Sequence, residues 1–254
     1  MKILIITQDD PFYLGKNISY LLSNTPAHSK VVGCVVSDVS PFGKKETLIQ
    51  KAVKTFKIFG PVFFSRYALN FLLAKVNTRY SVTNVLKRHG IPIIEIQGSL
   101  NEERSLDLLR SYEPDLLISI AGNEIFKRPL IDLAPKGCLN LHTALLPKYR
   151  GLMPSFWVLK NREEESGVSI FFVDEGIDTG PILVQNRYPL AGLSLDQLIK
   201  ASKQAGMDAI IEAIEKIHNG ETALIPNNDD EKTYFGFPTR EDVMEFRAAG
   251  ARFF

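Results

Sequence analysis

Short apolar runs recur along this chain, separated by stretches whose apolar positions repeat at helical spacing. Ile3 to Ile6 is the first run and Val31 to Val36 (VVGCVV) the second. Ile93 to Ile96, Asp115 to Ala121 (DLLISIA) and Gly137 to His142 follow, and Val168 to Val173 and Ile182 to Tyr188 close the series. Unbroken apolar runs suit strands buried on both faces, as in a parallel sheet. Between them the pattern predicts helices at about Lys16 to Ser23, Leu100 to Ser111, Glu124 to Leu133 and Pro154 to Arg162. Another short helix is capped by Ser81 and ends at His89-Gly90. Alternating βα units predict a doubly wound α/β fold: a mostly parallel, Rossmann-like sheet with helices on both faces.

Two stretches depart from this rhythm. Residues 41–80 predict a helical insertion, divided at Gly60-Pro61 because proline suits the start of a helix and not its interior. After Leu190, a long amphipathic helix from Ser194 to about Ile217, a turn-rich linker at Pro226, and a helix capped at Thr239 predict a C-terminal helical extension. The expected organisation is a main domain over 1–190, carrying the 41–80 insertion, and an extension over 191–254.

Charge sharpens the first departure. From Pro41 to Gly90 there are ten Lys or Arg residues against the single acid Glu46, in a chain of net charge +1, so the remainder is acidic. Phe56, Phe59, Phe63, Phe64, Tyr67 and Phe71 are interleaved with these cations. Four roles are open to it. It can cover a sheet edge or a dimer contact, bind the phosphates of a polyanionic acceptor, bind nucleic acid, or lie on a membrane surface. The structural role leads, nucleic acid is less favoured, and a membrane surface is disfavoured.

The remaining composition mostly excludes. A 45% hydrophobic content over 254 residues is enough for one sizeable core. Cys34 and Cys138 lie in apolar strands and read as buried thiols, and no Cys/His spacing suggests a metal site. Ile3 to Ile6 is too short for a signal peptide and no apolar run reaches bilayer length, so a cytoplasmic location is expected. After the first strand comes Gln8-Asp9-Asp10-Pro11-Phe12-Tyr13, with no glycine before Gly15. Two acids there repel a pyrophosphate, which argues against a dinucleotide cofactor.

The candidate chemistry lies between Cys138 and Gln185. His89 and His218 sit at predicted helix ends and His28 in a polar loop, whereas His142 ends a strand at the carboxyl edge of the sheet, where such folds bind ligands. Asn140, two residues earlier, shares its face. The turn Glu175-Gly176-Ile177-Asp178-Thr179-Gly180-Pro181 holds a carboxylate between two glycines. Around these stand Leu145-Leu146-Pro147-x-Tyr149-Arg150-Gly151-x-x-Pro154-x-x-Trp157 and Gly167-Val168-Ser169-Ile170.

This long pattern resembles the folate-dependent formyltransferase family, which includes methionyl-tRNA, glycinamide ribonucleotide and sugar N-formyltransferases. The resemblance is strong from about Asp115 to Gln185, weaker over the N-terminal strands, and absent or unclear over 41–80 and most of 190–254. It implies catalytic roles for Asn140, His142 and Asp178, and 10-formyltetrahydrofolate as the donor in a one-carbon transfer. It also implies a pterin site between Glu124, Ile125 and Phe126 on one side and the loop carrying Val173, Asp174 and Gly176 on the other. The chemistry is consistent, because a side-chain amide can donate to a tetrahedral oxyanion and an imidazole–carboxylate pair can relay the amine's proton without a metal.

The acceptor is less legible. Gln8, Asp9, Asp10 and Tyr13 in the first turn, with Tyr149 and Arg150, are the expected acceptor-binding residues. The first turn lacks the glycines of a glycinamide ribonucleotide site. The stretch after Leu190 is short and helical where methionyl-tRNA enzymes carry a β-barrel. The expectation is therefore a small primary amine on a nucleotide-linked sugar, with a methionyl-tRNA formyltransferase-like enzyme as the alternative. A formyltetrahydrofolate hydrolase and a non-catalytic folate-binding relative also stay open, and a homodimer is possible.

Overall fold

The computed structural model describes residues 1–37, 47–190, 192–221 and 223–254, so Lys44, Lys45 and Glu46 of the basic segment lie outside the described residues. Strand β1 (Lys2–Gln8) turns into α1 (Leu14–Asn24), and β2 (Lys30–Ser37) follows. Helices α2 (Leu48–Phe59) and α3 (Pro61–Val76) meet at Gly60, whose φ of +83° suits glycine and sets the corner before Pro61. Next come α4 (Val82–Arg88), β3 (Ile93–Ile94), α5 (Glu103–Arg110), β4 (Leu116–Ile120), the single turn α6 (Arg128–Ile131) and β5 (Cys138–His142). The chain continues through β6 (Arg150–Gly151), α7 (Pro154–Lys160), β7 (Glu165–Phe172) and β8 (Ile182–Pro189). It closes with α8 (Leu195–Asn219), β9 (Tyr234–Phe235) and α9 (Arg240–Ala248).

The main sheet has the order β3-β2-β1-β4-β5-β7-β8. Its first five strands are parallel, and β7 and β8 run antiparallel to their neighbours. The stretch between β7 and β8 contains no helix, and strands joined without a crossover pair antiparallel. Strand order reverses between β1 and β4, so the crevice beyond their carboxyl ends is the natural ligand position.

Alternation in β1 divides the core into two layers. Ile3 and Ile5 join α1, α4 and α8 through Ile18, Val85 and Ile210, while Leu4 and Ile6 join α5 and α6 through Leu106 and Leu130. Helix α8 thus belongs to the sheet's own covering layer. A third cluster joins Phe59 of α2, Phe156 and Trp157 of α7, Leu198 of α8, Phe246 of α9 and Phe253. The basic hairpin packs on this cluster and not along a sheet edge.

Two predicted elements are shorter than expected. The strand at 93–96 stops at Ile94, where Glu95 interrupts the apolar run. The helix predicted over 124–133 survives only as α6. Its start is held in an irregular path because the Glu124 carboxylate accepts from Ser99 Oγ and from Leu100 N at 3.0 Å, while Lys127 N donates to Asn101 Oδ1 at 2.7 Å.

Helix α8 lies close on β5 because Gly206 has no side chain: a Cβ there would fall 2.6 Å from Leu141 Cδ2. Gly206→Val is expected to destabilise the fold by about 1–3 kcal/mol through overpacking. Urea denaturation measures this, and an unchanged midpoint would show that the contact is slack.

Candidate active site

Strand β5 delivers two polar side chains to the carboxyl edge while Leu141, between them, enters the core. Asn140 lies beside Ser119 of β4 and Phe171 of β7. Its side chain has no hydrogen-bond partner among the described residues and lines a cleft. One wall of that cleft is Gly122, Glu124, Ile125 and Phe126, and the other is Val173, Asp174, Gly176, Ile177 and Asp178. Every residue expected to meet the folate therefore lines one cleft, together with Asn140 and Asp178.

His142 lies behind this cleft and is buried. Its Nε2 is 2.7 Å from the Tyr149 carbonyl oxygen; since a carbonyl only accepts, Nε2 carries the proton and donates. Nδ1 faces Asp178 Oδ2 at 3.5 Å. A neutral ring in this tautomer turns a lone pair towards a carboxylate. A proton arriving at Nδ1 converts that repulsion into an ion pair.

The carboxylate itself is fixed. Asp178 Oδ2 accepts from Gly151 N at 2.8 Å, and the residue has φ of +54°, a left-handed conformation that aspartate tolerates. Gly180 is required by close approach, because a Cβ there would fall 1.7 Å from the Phe172 carbonyl oxygen. Asp174 accepts from Thr179 Oγ1 and Gly176 N across the base of the same turn.

The residues expected to bind the acceptor are mostly engaged elsewhere. The Gln8 amide donates to the Ala121 carbonyl. Asp10 holds the turn leading into α1, accepting from the Phe12, Tyr13 and Leu14 amides at 3.0–3.2 Å. The Tyr13 hydroxyl donates to Asp196, and burial, reinforced by that carboxylate, pushes its ionisation above the ordinary tyrosine range. The Tyr149 hydroxyl donates to Glu163, and burial pushes it up to about 12. Arg150 is buried against Asp229 at 2.7 Å and Asn227 at 2.9 Å. Only the exposed Asp9 among the six makes no side-chain hydrogen bond among the described residues. The other histidines are remote from the cleft: His89 meets Ser19, while His28 meets Glu215 and stacks on His218.

Residues 62–214 match the family model described as formyl transferase. The chain belongs to the formyl transferase family. The match starts inside α3, where the motif resemblance fades, and runs well into α8. A methionyl-tRNA formyltransferase of Kosmotoga olearia is 36% identical over 164 residues, covering 64% of this chain and 52% of that protein. One from Thermotoga maritima is 34% identical, with the same coverage. The chain spans about half the length of these curated relatives. Among solved structures, a sugar N-formyltransferase from a Shewanella species has a TM-score of 0.62 at 17% identity, covering 99% of this chain and 89% of that one. The N-formyltransferase of Helicobacter canadensis, solved with folinic acid and dTDP-3-aminofucose, has a TM-score of 0.58 at 19% identity, covering 95% and 72%. At such identities the likeness concerns the fold alone.

One residue that sequence reasoning missed ties the site together. Asn227 Nδ2 donates to the carbonyls of Asp178 at 3.0 Å and Gly180 at 2.8 Å, while its own oxygens accept from Arg150 Nη2. It lies in a Pro-Asn-Asn-Asp-Asp stretch whose composition signals only a turn. Asn227→Ala removes both bonds to the Asp178 loop, at an expected cost of about 1–3 kcal/mol. Hydrogen exchange at 176–180 should rise in that variant; unchanged protection there would show that the loop is held by other means.

Proposed function

We propose that this chain transfers the formyl group of 10-formyltetrahydrofolate to a primary amine. The observation that carries this reading is the uncommitted amide of Asn140, which opens into a cleft whose opposite wall is Asp178, with His142 behind. The irregular backbone at 122–126 offers amide and carbonyl edges of the kind a pterin ring needs, and Phe126, Phe171 and Val173 supply an apolar lining.

In this reading the amine nitrogen bonds to the formyl carbon, and Asn140 Nδ2 donates to the oxygen that gains charge. Nε2 of His142 is held by the Tyr149 carbonyl, so the ring's contribution comes from Nδ1. The proton lost by the amine passes to Nδ1, and the Asp178 carboxylate stabilises the imidazolium. When the bond between the formyl carbon and the folate nitrogen breaks, that proton leaves with the nitrogen. The products are a formamide and tetrahydrofolate.

For the acceptor we infer the amino group of a methionyl-tRNA, because the curated relatives reaching 36% identity bear that name. The preference for a nucleotide-linked amino sugar rested on the short, helical stretch after Leu190 and on overall length and layout. It remains the second reading, supported by the bound dTDP-3-aminofucose of the Helicobacter canadensis protein. We also propose that 1–190 and 191–254 act as one catalytic unit, since α8 and Asn227 both support the Asp178 loop and its strand.

Purified protein is expected to consume 10-formyltetrahydrofolate only when an amine acceptor is present, and Asn140→Ala should lower kcat by about 100- to 1,000-fold. His142→Ala and Asp178→Ala should be comparably impaired. Turnover in water alone would identify a hydrolase, and near-normal rates in Asn140→Ala would remove the mechanism. Parallel assays with methionyl-tRNA and with dTDP-linked amino sugars separate the two acceptors.

A further inference from the structure

Helix α3 contains no buried residue although most of its side chains are apolar. Its inner face is partnered: Phe63 stacks on Phe59 and Phe254, and Tyr67 and Phe71 pack on Phe12. The opposite face carries Val62, Leu69, Leu73 and Val76, spaced by seven, four and three residues, which places them on one stripe beside Leu72. These side chains are wide open to solvent, with Val62 80%, Leu72 62% and Val76 85% exposed. The adjoining α2 repeats the arrangement with Ile49, Val53 and Phe56, all exposed. Contiguous exposed apolar surface of this kind marks an interaction face.

Charge decides what the face meets. From Thr47 to Ile94 the chain has eight Lys or Arg residues and no Asp or Glu. Lys57, Arg66, Lys75, Arg79, Lys87 and Arg88 are exposed, and none forms an ion pair among the described residues. Where such cations make contacts, they lie over rings: Arg66 over Phe254, Lys75 over Phe71, and Arg79 and Arg88 over Tyr80. Two copies of so basic a face would repel each other. A polynucleotide would neutralise the charge but leave the leucine stripe in water. A surface with anionic headgroups over hydrocarbon satisfies both features. No helix among the described residues is long and apolar enough to cross a membrane, so the segment would lie on the bilayer and not span it.

We propose that the α2–α3 hairpin is a docking surface for an anionic lipid bilayer, with the stripe Val62-Leu69-Leu72-Leu73-Val76 entering the headgroup boundary. Because Phe12 packs on Tyr67 and Phe71, docking would hold the turn after β1 close to the lipid surface.

The test is co-sedimentation of the full chain with vesicles of phosphatidylcholine containing about one-third phosphatidylglycerol, against phosphatidylcholine alone. Binding is expected to the anionic vesicles, at least tenfold weaker to the neutral ones, and strongly reduced at high salt, where screening shortens the reach of each cation. Lys75→Gln with Arg79→Gln should weaken it by about fivefold per cation. Leu72→Glu with Leu73→Glu, both at exposed sites, should abolish it while far-UV circular dichroism and thermal midpoint stay unchanged. Absence of binding, equal binding to neutral vesicles, or undiminished binding by the Leu72/Leu73 variant would each overturn the proposal. A dimer in size-exclusion chromatography that the same variant dissolves would also overturn it, assigning the stripe to a second copy.

Discussion

A buried imidazole placed between a main-chain carbonyl and a carboxylate is one proton short when neutral. His142 is in that position, with Nε2 committed to Tyr149 and Nδ1 turned to Asp178. Much of the surrounding architecture serves to keep the two acceptors where they are. Ser169 Oγ accepts from Leu146 N and donates to the Ala144 carbonyl, and Gln185 holds the Leu146 carbonyl, so the chain leaving β5 returns with Tyr149 facing the ring. Gly151, two residues on, supplies the amide that fixes Asp178. One short segment, 149–151, thus positions both partners of the imidazole.

That segment is anchored from the far end of the chain. Thr233 accepts from Tyr149 N through its side chain and from Arg150 N through its carbonyl, and β9 pairs with β6. Arg150 is buried yet charged, a costly placement; Asp229 meets Nη1 and Asn227 meets Nη2, while Nε has no partner among the described residues. Residues beyond 220 are therefore part of the site's framework, and the Asp178 loop is clamped between β6 and Asn227.

Much of the fold was legible because buried parallel strands leave an apolar signature, which β1 and β2 carry plainly, β4 with one serine, and β5 in its alternate positions. The reversal of β7 and β8 was not, since an apolar strand looks the same in either direction. The helix expected at 124–133 failed because tertiary hydrogen bonds from Ser99 to Asn101 override local helical spacing, and those partners are distant in sequence. At the site, the family motif placed Asn140, His142 and Asp178 together. Tyr149 and Arg150 stand in the same motif, but their polar ends are turned into the framework. Nothing in the side chain's chemistry distinguishes an arginine awaiting an anionic ligand from one already paired with Asp229. Exposure of the α3 stripe was hidden for a similar reason: a hydrophobic helix gives no sign of which face remains uncovered.

The proposed reaction requires the cleft between 122–126 and 173–178 to receive a folate beside Asn140. Hydrogen–deuterium exchange with and without 5-formyltetrahydrofolate, a stable analogue, tests it most directly. Protection confined to those two walls and the end of β5 is the predicted result; protection elsewhere, with both walls unchanged, would contradict it.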